Sequence, residues 1–180
     1  MVVRGFGAGD RSVRTSAQIT HTDPTASVGA LAIARLAALG VNGDRRNPPD
    51  RTAVIKMLTE CAPANSEWCG PIEKLSSALA AGRSTIEFAA ALKLDRGVTG
   101  YIYHTALVAI YAWLRYWGDF RATLEDALDC GGDADTVGAI AGALTGAVVG
   151  AEDIPSDWLD GIVDWPCSTR FVRRVAEQLA

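Results

Sequence analysis

Glycines recur at every fourth position of "GGDADTVGAIAGALTGAVVG": Gly138, Gly142, Gly146 and Gly150. On a helix this spacing puts all four on one face, a smooth stripe that a neighbouring helix can approach closely. Glycine inside a helix is unfavourable by roughly 1 kcal/mol relative to alanine. Close packing is the expected compensation, so the stripe calls for a partner helix. The rest of the chain agrees with a helical protein. No stretch alternates with period two, and no turn dipeptide joins β-branched runs. The expected class is all-α, a compact helical bundle in a single domain over residues 1–180.

Helix punctuation supports this. Asp23 before Pro24 opens a helix over 24–40 that Gly40 closes. Asp50 caps a helix running to about residue 60. Pro71 opens another, closed by Gly82, after an irregular connection over 61–71. Ser84 and Glu87 have capping-box spacing. Residues 101–117, 120–128 and 136–149 read as further helices. A short one follows at 155–159 and a terminal one at 170–179.

Composition narrows the class of function. Hydrophobic residues make up 49% of the 180 positions, charged residues 21%, and the net charge is −4. These are globular values. The basic residues are scattered, so no nucleic-acid surface is expected. Cys61, Cys69, Cys130 and Cys167 have no C-x-x-C spacing and no histidine cluster beside them. Reduced thiols in a cytoplasmic protein are the expectation. The stretch 137–151 is shorter than the roughly 20 apolar residues of a membrane span, and no membrane partner is expected.

Asp133, Asp135 and Thr136 crowd four residues behind the pair Gly131-Gly132. A helix cap accounts for one carboxylate there, since acids favour the positive end of the helix dipole. A calcium loop of EF-hand type fails: counted from Asp133, Val137 and Leu144 occupy ligand positions. "DADTV" has the letters of the haloacid-dehalogenase phosphatase motif, but that motif ends a buried parallel strand, and the chain lacks the strands of a doubly wound sheet. The remaining reading is a hard divalent cation, which takes carboxylate, hydroxyl and water oxygens. Cap and cation site stay open on chemistry alone.

Three segments together resemble the ADP-ribosylglycohydrolase family: "GGDADTVGAIAGALTGA", "SAQITHTDPTASVGALAIA" and "GYIYHTALVAIYAWLR". "IPSDWLDGI" fits the same ending. The resemblance implies an all-α hydrolase with a dinuclear Mg²⁺ or Mn²⁺ centre, cleaving ADP-ribose from a modified protein arginine or another ADP-ribose conjugate. It implies that Asp133, Asp135 and Thr136 are metal ligands, and that His21 and Tyr101 contact the ligand. It names no catalytic residue here, and His104 receives no role. Family members carry a further N-terminal part with a Thr-Asp-Asp motif, and this chain contains no Asp-Asp dipeptide. The expectation is therefore the C-terminal part of such a fold, truncated and with an incomplete metal centre. A non-catalytic ADP-ribose-binding or structural remnant is the alternative.

Overall fold

The computed structural model describes residues 6–162 and 168–179. Among them are ten α-helices, one short 3₁₀ turn and no strand. In order they are α1 (Phe6–Thr20), α2 (Pro24–Asn42), α3 (Arg51–Thr59), α4 (Ser66–Ala80) and α5 (Thr85–Ala91), then α6 (Ile102–Arg115), α7 (Phe120–Leu128), α8 (Ala134–Val149), α9 (Ser156–Gly161) and α10 (Thr169–Leu179). The all-α class read from the sequence is observed.

Local capping chemistry sets most boundaries. Asp23 accepts from the Thr25 amide and Asp50 from the amides of Thr52 and Ala53. Ser84 and Glu87 form the reciprocal capping box. Each satisfies amides that the first helical turn leaves unpaired and contributes about 1 kcal/mol.

Three boundaries differ from expectation. α2 passes Gly40 and stops at Asn42, because Gly40 lies inside the helix as a packing site. α4 starts five residues before Pro71. Asn65 caps it through the Glu67 and Trp68 amides, and Pro71 sits within the helix. α1 was not expected at all. Its sequence is polar and carries two glycines, so local propensity is low. Tertiary contacts hold it instead: Val13 packs on the core, and Asp10 pairs with Arg35 of α2 at 2.7 Å.

α6 is the axis of the bundle, with α2, α4, α5, α7 and α8 packed around it. Every residue from Thr105 to Leu114 is buried. A helix that is apolar on all sides needs such a jacket. Phe88 of α5 stacks on Tyr111 with ring centroids 4.3 Å apart, and Trp68 of α4 lies 4.8 Å from Tyr103. α2, at 19 residues, is by length and composition apolar enough to cross a membrane. Here its Leu31, Ala32 and Leu36 are buried in the core.

The glycine stripe has a specific partner. α7 lays Leu128, Leu124 and Phe120 over Gly138, Gly142 and Gly146 in antiparallel order. These are ridge residues at i, i+4 and i+8, so a ridge enters a groove. Gly150 is different: it ends α8 with φ +76° and has open space around it. The expected four-residue stripe is thus three packing glycines and one terminator. On another face of α8, a Cβ on Gly40 would stand 3.1 Å from Val148 Cγ2, so this glycine lets α2 approach closely.

Cys61, Cys69 and Cys130 are free thiols, and Cys167 lies outside the described residues.

Candidate metal and ligand site

The acidic cluster is held by backbone. The Val98 amide donates to the Gly131 carbonyl at 3.0 Å, and the Asp133 amide donates to the Val98 carbonyl at 2.8 Å. Val98 and Gly132 form an isolated parallel bridge. Gly131 and Gly132 have φ +63° and +79°, and Gly97 has φ +109°. A Cβ on Gly132 would overlap the Val98 backbone and stand 2.8 Å from the Gly97 carbonyl carbon. Both positive φ and backbone proximity therefore demand glycine there. Segment 97–100, between α5 and α6, is clasped to the turn that opens α8.

Asp133 occupies the N-cap position of α8, yet its side chain makes no capping hydrogen bond. The cap reading thus holds for the position of Asp133 and not for a capping bond from its side chain. Its Oδ2 faces Gly100 instead, 3.3 Å from where a Cβ would stand. Asp135 sits in the first turn. Hydrogen bonding with the Asp133 carboxyl holds the Asp135 pKa below the usual carboxylate value, and the Thr136 and Asp135 amides add to this. With Thr136 in the same turn, the donors are hard oxygens, a set that suits Mg²⁺ or Mn²⁺. Among the described residues no group of three or more His, Cys, Asp or Glu side chains gathers at one point.

The phosphatase reading fails on topology. "DADTV" opens a helix, and the described residues contain no strand for it to terminate.

Tyr101 is the N-cap residue of α6, one residue past Gly100. Its hydroxyl donates to Glu67 Oε1 at 2.9 Å. Desolvation, followed by this hydrogen bond, pushes the phenol up to about 12. Its ring lies 5.2 Å from Tyr103, tilted, and 5.2 Å from His104, edge-on. His104 Nδ1 lies 2.7 Å from Thr99 Oγ1, and desolvation lowers the His104 pKa. Tyr103 accepts from Asn65 Nδ2 at 3.1 Å. The first turn of α4 and the start of α6 together make an aromatic wall that begins one residue past Gly100, the residue Asp133 faces.

His21 follows α1 and is exposed, with Nδ1 2.8 Å from Thr20 Oγ1. Of the expected site residues, Asp133 on α8 faces Gly100, the chain neighbour of Tyr101 at the start of α6, with Asp135 and Thr136 in the same turn, while His21 bonds with its neighbour Thr20. Asn65, Glu67 and His104 were not anticipated.

The sequence model of the ADP-ribosylglycohydrolase family matches residues 8–180. An ADP-ribosyl-[dinitrogen reductase] glycohydrolase of Rhodospirillum rubrum is 55% identical over 61 residues, covering 34% of this chain and 20% of that protein. An uncharacterized protein of Archaeoglobus fulgidus is 30% identical over 170 residues, covering 94% of this chain and 50% of that protein. The chain thus spans half or less of the length of these relatives. No solved structure matches it. With the family match running through both the clasped acid pair and the aromatic wall, the chain belongs to the ADP-ribosylglycohydrolase family.

Proposed function

We propose that this chain forms the α8 side of a site that hydrolyses ADP-ribose conjugates, releasing ADP-ribose from a modified protein or small-molecule acceptor. The observation that carries this reading is the backbone clasp that fixes Asp133, with Asp135 and Thr136 in the same turn, against the segment that leads into Tyr101. Asp133, Asp135 and Thr136 would hold Mg²⁺ or Mn²⁺. Such an ion supplies positive charge that orients ligand oxygens and polarises them.

The chain's own residues position the ligand. Gly100, lacking a Cβ, leaves room directly in front of Asp133 Oδ2. Tyr101 offers a flat apolar face next to it, suited to a ribose or adenine ring. His104 is kept toward its neutral form by desolvation, so it serves as a hydrogen-bonding group rather than as a cation. His21, exposed just past α1, would contact the ligand as the resemblance to the family implies. A protein arginine is the acceptor implied by the resemblance to the family, and a cytoplasmic location accords with the free thiols.

Calorimetric titration of Mn²⁺ into the chain, and into Asp135→Ala, tests the ligand assignment. The substitution is expected to weaken Mn²⁺ by more than about tenfold, since even outer-shell losses reach that size. Unchanged affinity would remove Asp135 from the ligand set. A second reading, ADP-ribose binding without turnover, is favoured by the absence of a third acidic or imidazole ligand among the described residues. It predicts saturable ADP-ribose binding with no ADP-ribose released from arginine-modified protein. Release by this chain would eliminate it.

A further inference from the structure

The first turn of α4 contacts both tyrosines of the wall through side chains that no part of the proposed chemistry requires. Asn65 Oδ1 accepts from the Glu67 and Trp68 amides while its Nδ2 donates to the Tyr103 hydroxyl. One residue therefore starts the helix and ties it to α6. Two positions on, Glu67 Oε1 accepts the Tyr101 hydroxyl at 2.9 Å. Glu67 is exposed and its other carboxylate oxygen makes no bond within α4 that its capping role would need. The N-terminus of α4 is already capped by Asn65, so capping does not explain the Glu67–Tyr101 bond.

Tyr101 lies against Tyr103 and His104 with its ring, and its hydroxyl end has one further anchor. It stands at the N-cap of α6 with no side-chain capping bond, and its backbone amide reaches Thr99 Oγ1 only at 3.4 Å. Its ring is only partly buried. A phenol in that position can rotate about two side-chain torsions unless its far end is held. The hydroxyl is the far end, and Glu67 is the group that holds it.

We propose that Glu67 is a positioning residue for ligand recognition, fixing the Tyr101 ring through its hydroxyl so that the ring face is preset for the ligand. The inference rests on the proposed reading of Tyr101 as a contact for an ADP-ribose-type ligand. Glu67 need not touch the ligand. Its contribution is preorganisation: a ring already held does not lose its rotational freedom on binding.

The test is a double-substitution cycle read by calorimetric titration of ADP-ribose into the Mn²⁺-loaded chain. Tyr101→Ala should weaken ADP-ribose most. Glu67→Ala and Tyr101→Phe should each weaken it about fivefold, the size of one hydrogen bond. The double variant Glu67→Ala/Tyr101→Phe should be no weaker than either alone, because both delete the same bond. Glu67→Gln keeps an accepting oxygen and should restore most of the affinity. Mn²⁺ binding without ADP-ribose should stay unchanged throughout, which a general loss of structure would not allow. Additive losses in the double variant would overturn the proposal by making Glu67 a direct ligand contact. So would an unaffected Glu67→Ala in a chain that Tyr101→Ala weakens. If Tyr101→Ala binds as the parent does, the Tyr101 reading falls and takes this inference with it. Absence of ADP-ribose binding by the parent chain would instead refute the proposed function.

Discussion

Gly131 and Gly132 are neighbours with similar backbone angles, yet alanine should affect them very differently. Both have φ between +60° and +80° (+63° and +79°), so a Cβ at either adds left-handed strain of about 1–2 kcal/mol. At Gly131 that is the whole effect, because nothing lies within 4 Å of the added atom. At Gly132 the new Cβ overlaps the Val98 backbone, which is not a flexible side-chain end that could swing away. The clasp must open, and with it go the Val98–Gly131 and Asp133–Val98 hydrogen bonds. At about 1 kcal/mol each, they bring the expected loss for Gly132→Ala to about 3–4 kcal/mol. A domain of this kind is stable by about 5–15 kcal/mol, so both variants should remain folded. Urea unfolding at 25 °C reads the two losses directly. Mn²⁺ titration reads the site: Gly131→Ala should retain binding, and Gly132→Ala should lose it because Asp133 is no longer placed. Equal destabilisation by the two substitutions would refute the reasoning, as would normal Mn²⁺ binding by Gly132→Ala.

Lys93 has φ +65° just past α5, and Lys93→Gly should raise stability by about 0.5–1 kcal/mol in urea; no gain would show that the strain is absent. Gly142→Ala should stabilise by a similar amount, since its Cβ would meet Leu124 Cδ2 at an ordinary 3.8 Å and helix propensity improves. Gly29→Ala should instead destabilise by about 1–3 kcal/mol, because the Cβ overlaps Ile102 Cγ1; thermal melts of the pair moving in the same direction would contradict this packing. Desolvation lowers the His104 pKa, so near pH 6 the unfolded chain binds more protons than the folded one. Stability should therefore fall as pH drops through the unfolded histidine value of about 6.5, and His104→Gln should flatten that slope in urea midpoints measured on either side. An identical slope in the variant would assign the effect elsewhere.

Sequence disclosed what is local. Asp23, Asp50 and the Ser84–Glu87 pair announce helix starts because a cap acts within three residues of itself. α1 was illegible for the opposite reason: its residues favour helix weakly, and Asp10–Arg35 and Val13 hold it from another part of the chain. At the site, the acids stood out by residue type and crowding, whereas Tyr101 and His21 were singled out only by the family resemblance. Asn65 and Glu67 were hidden by a single misplacement. With Pro71 taken as a helix start, residues 61–71 became an irregular connection, and an N-cap with an acid in its first turn went unread. Proline is tolerated there five residues into the helix. The joining of 97–98 to 131–132 carries no sequence signal beyond its glycines, since the pairing atoms belong to the main chain. The glycine stripe promised a close partner but could not say which helix, and α7 supplies large side chains rather than a bare backbone.

Because peptide groups rather than side chains fasten segment 97–100 to the α8 turn, the fastening is blind to the identity of most residues it joins. Thr99 and Ala134 could be exchanged for many others without loosening it, whereas one residue inserted or deleted in either segment would shift the pairing register. Such a frame lends itself to grafting: the side chain at position 99 can be re-chosen to admit new ligands while Gly100 and the two carboxylates keep their address.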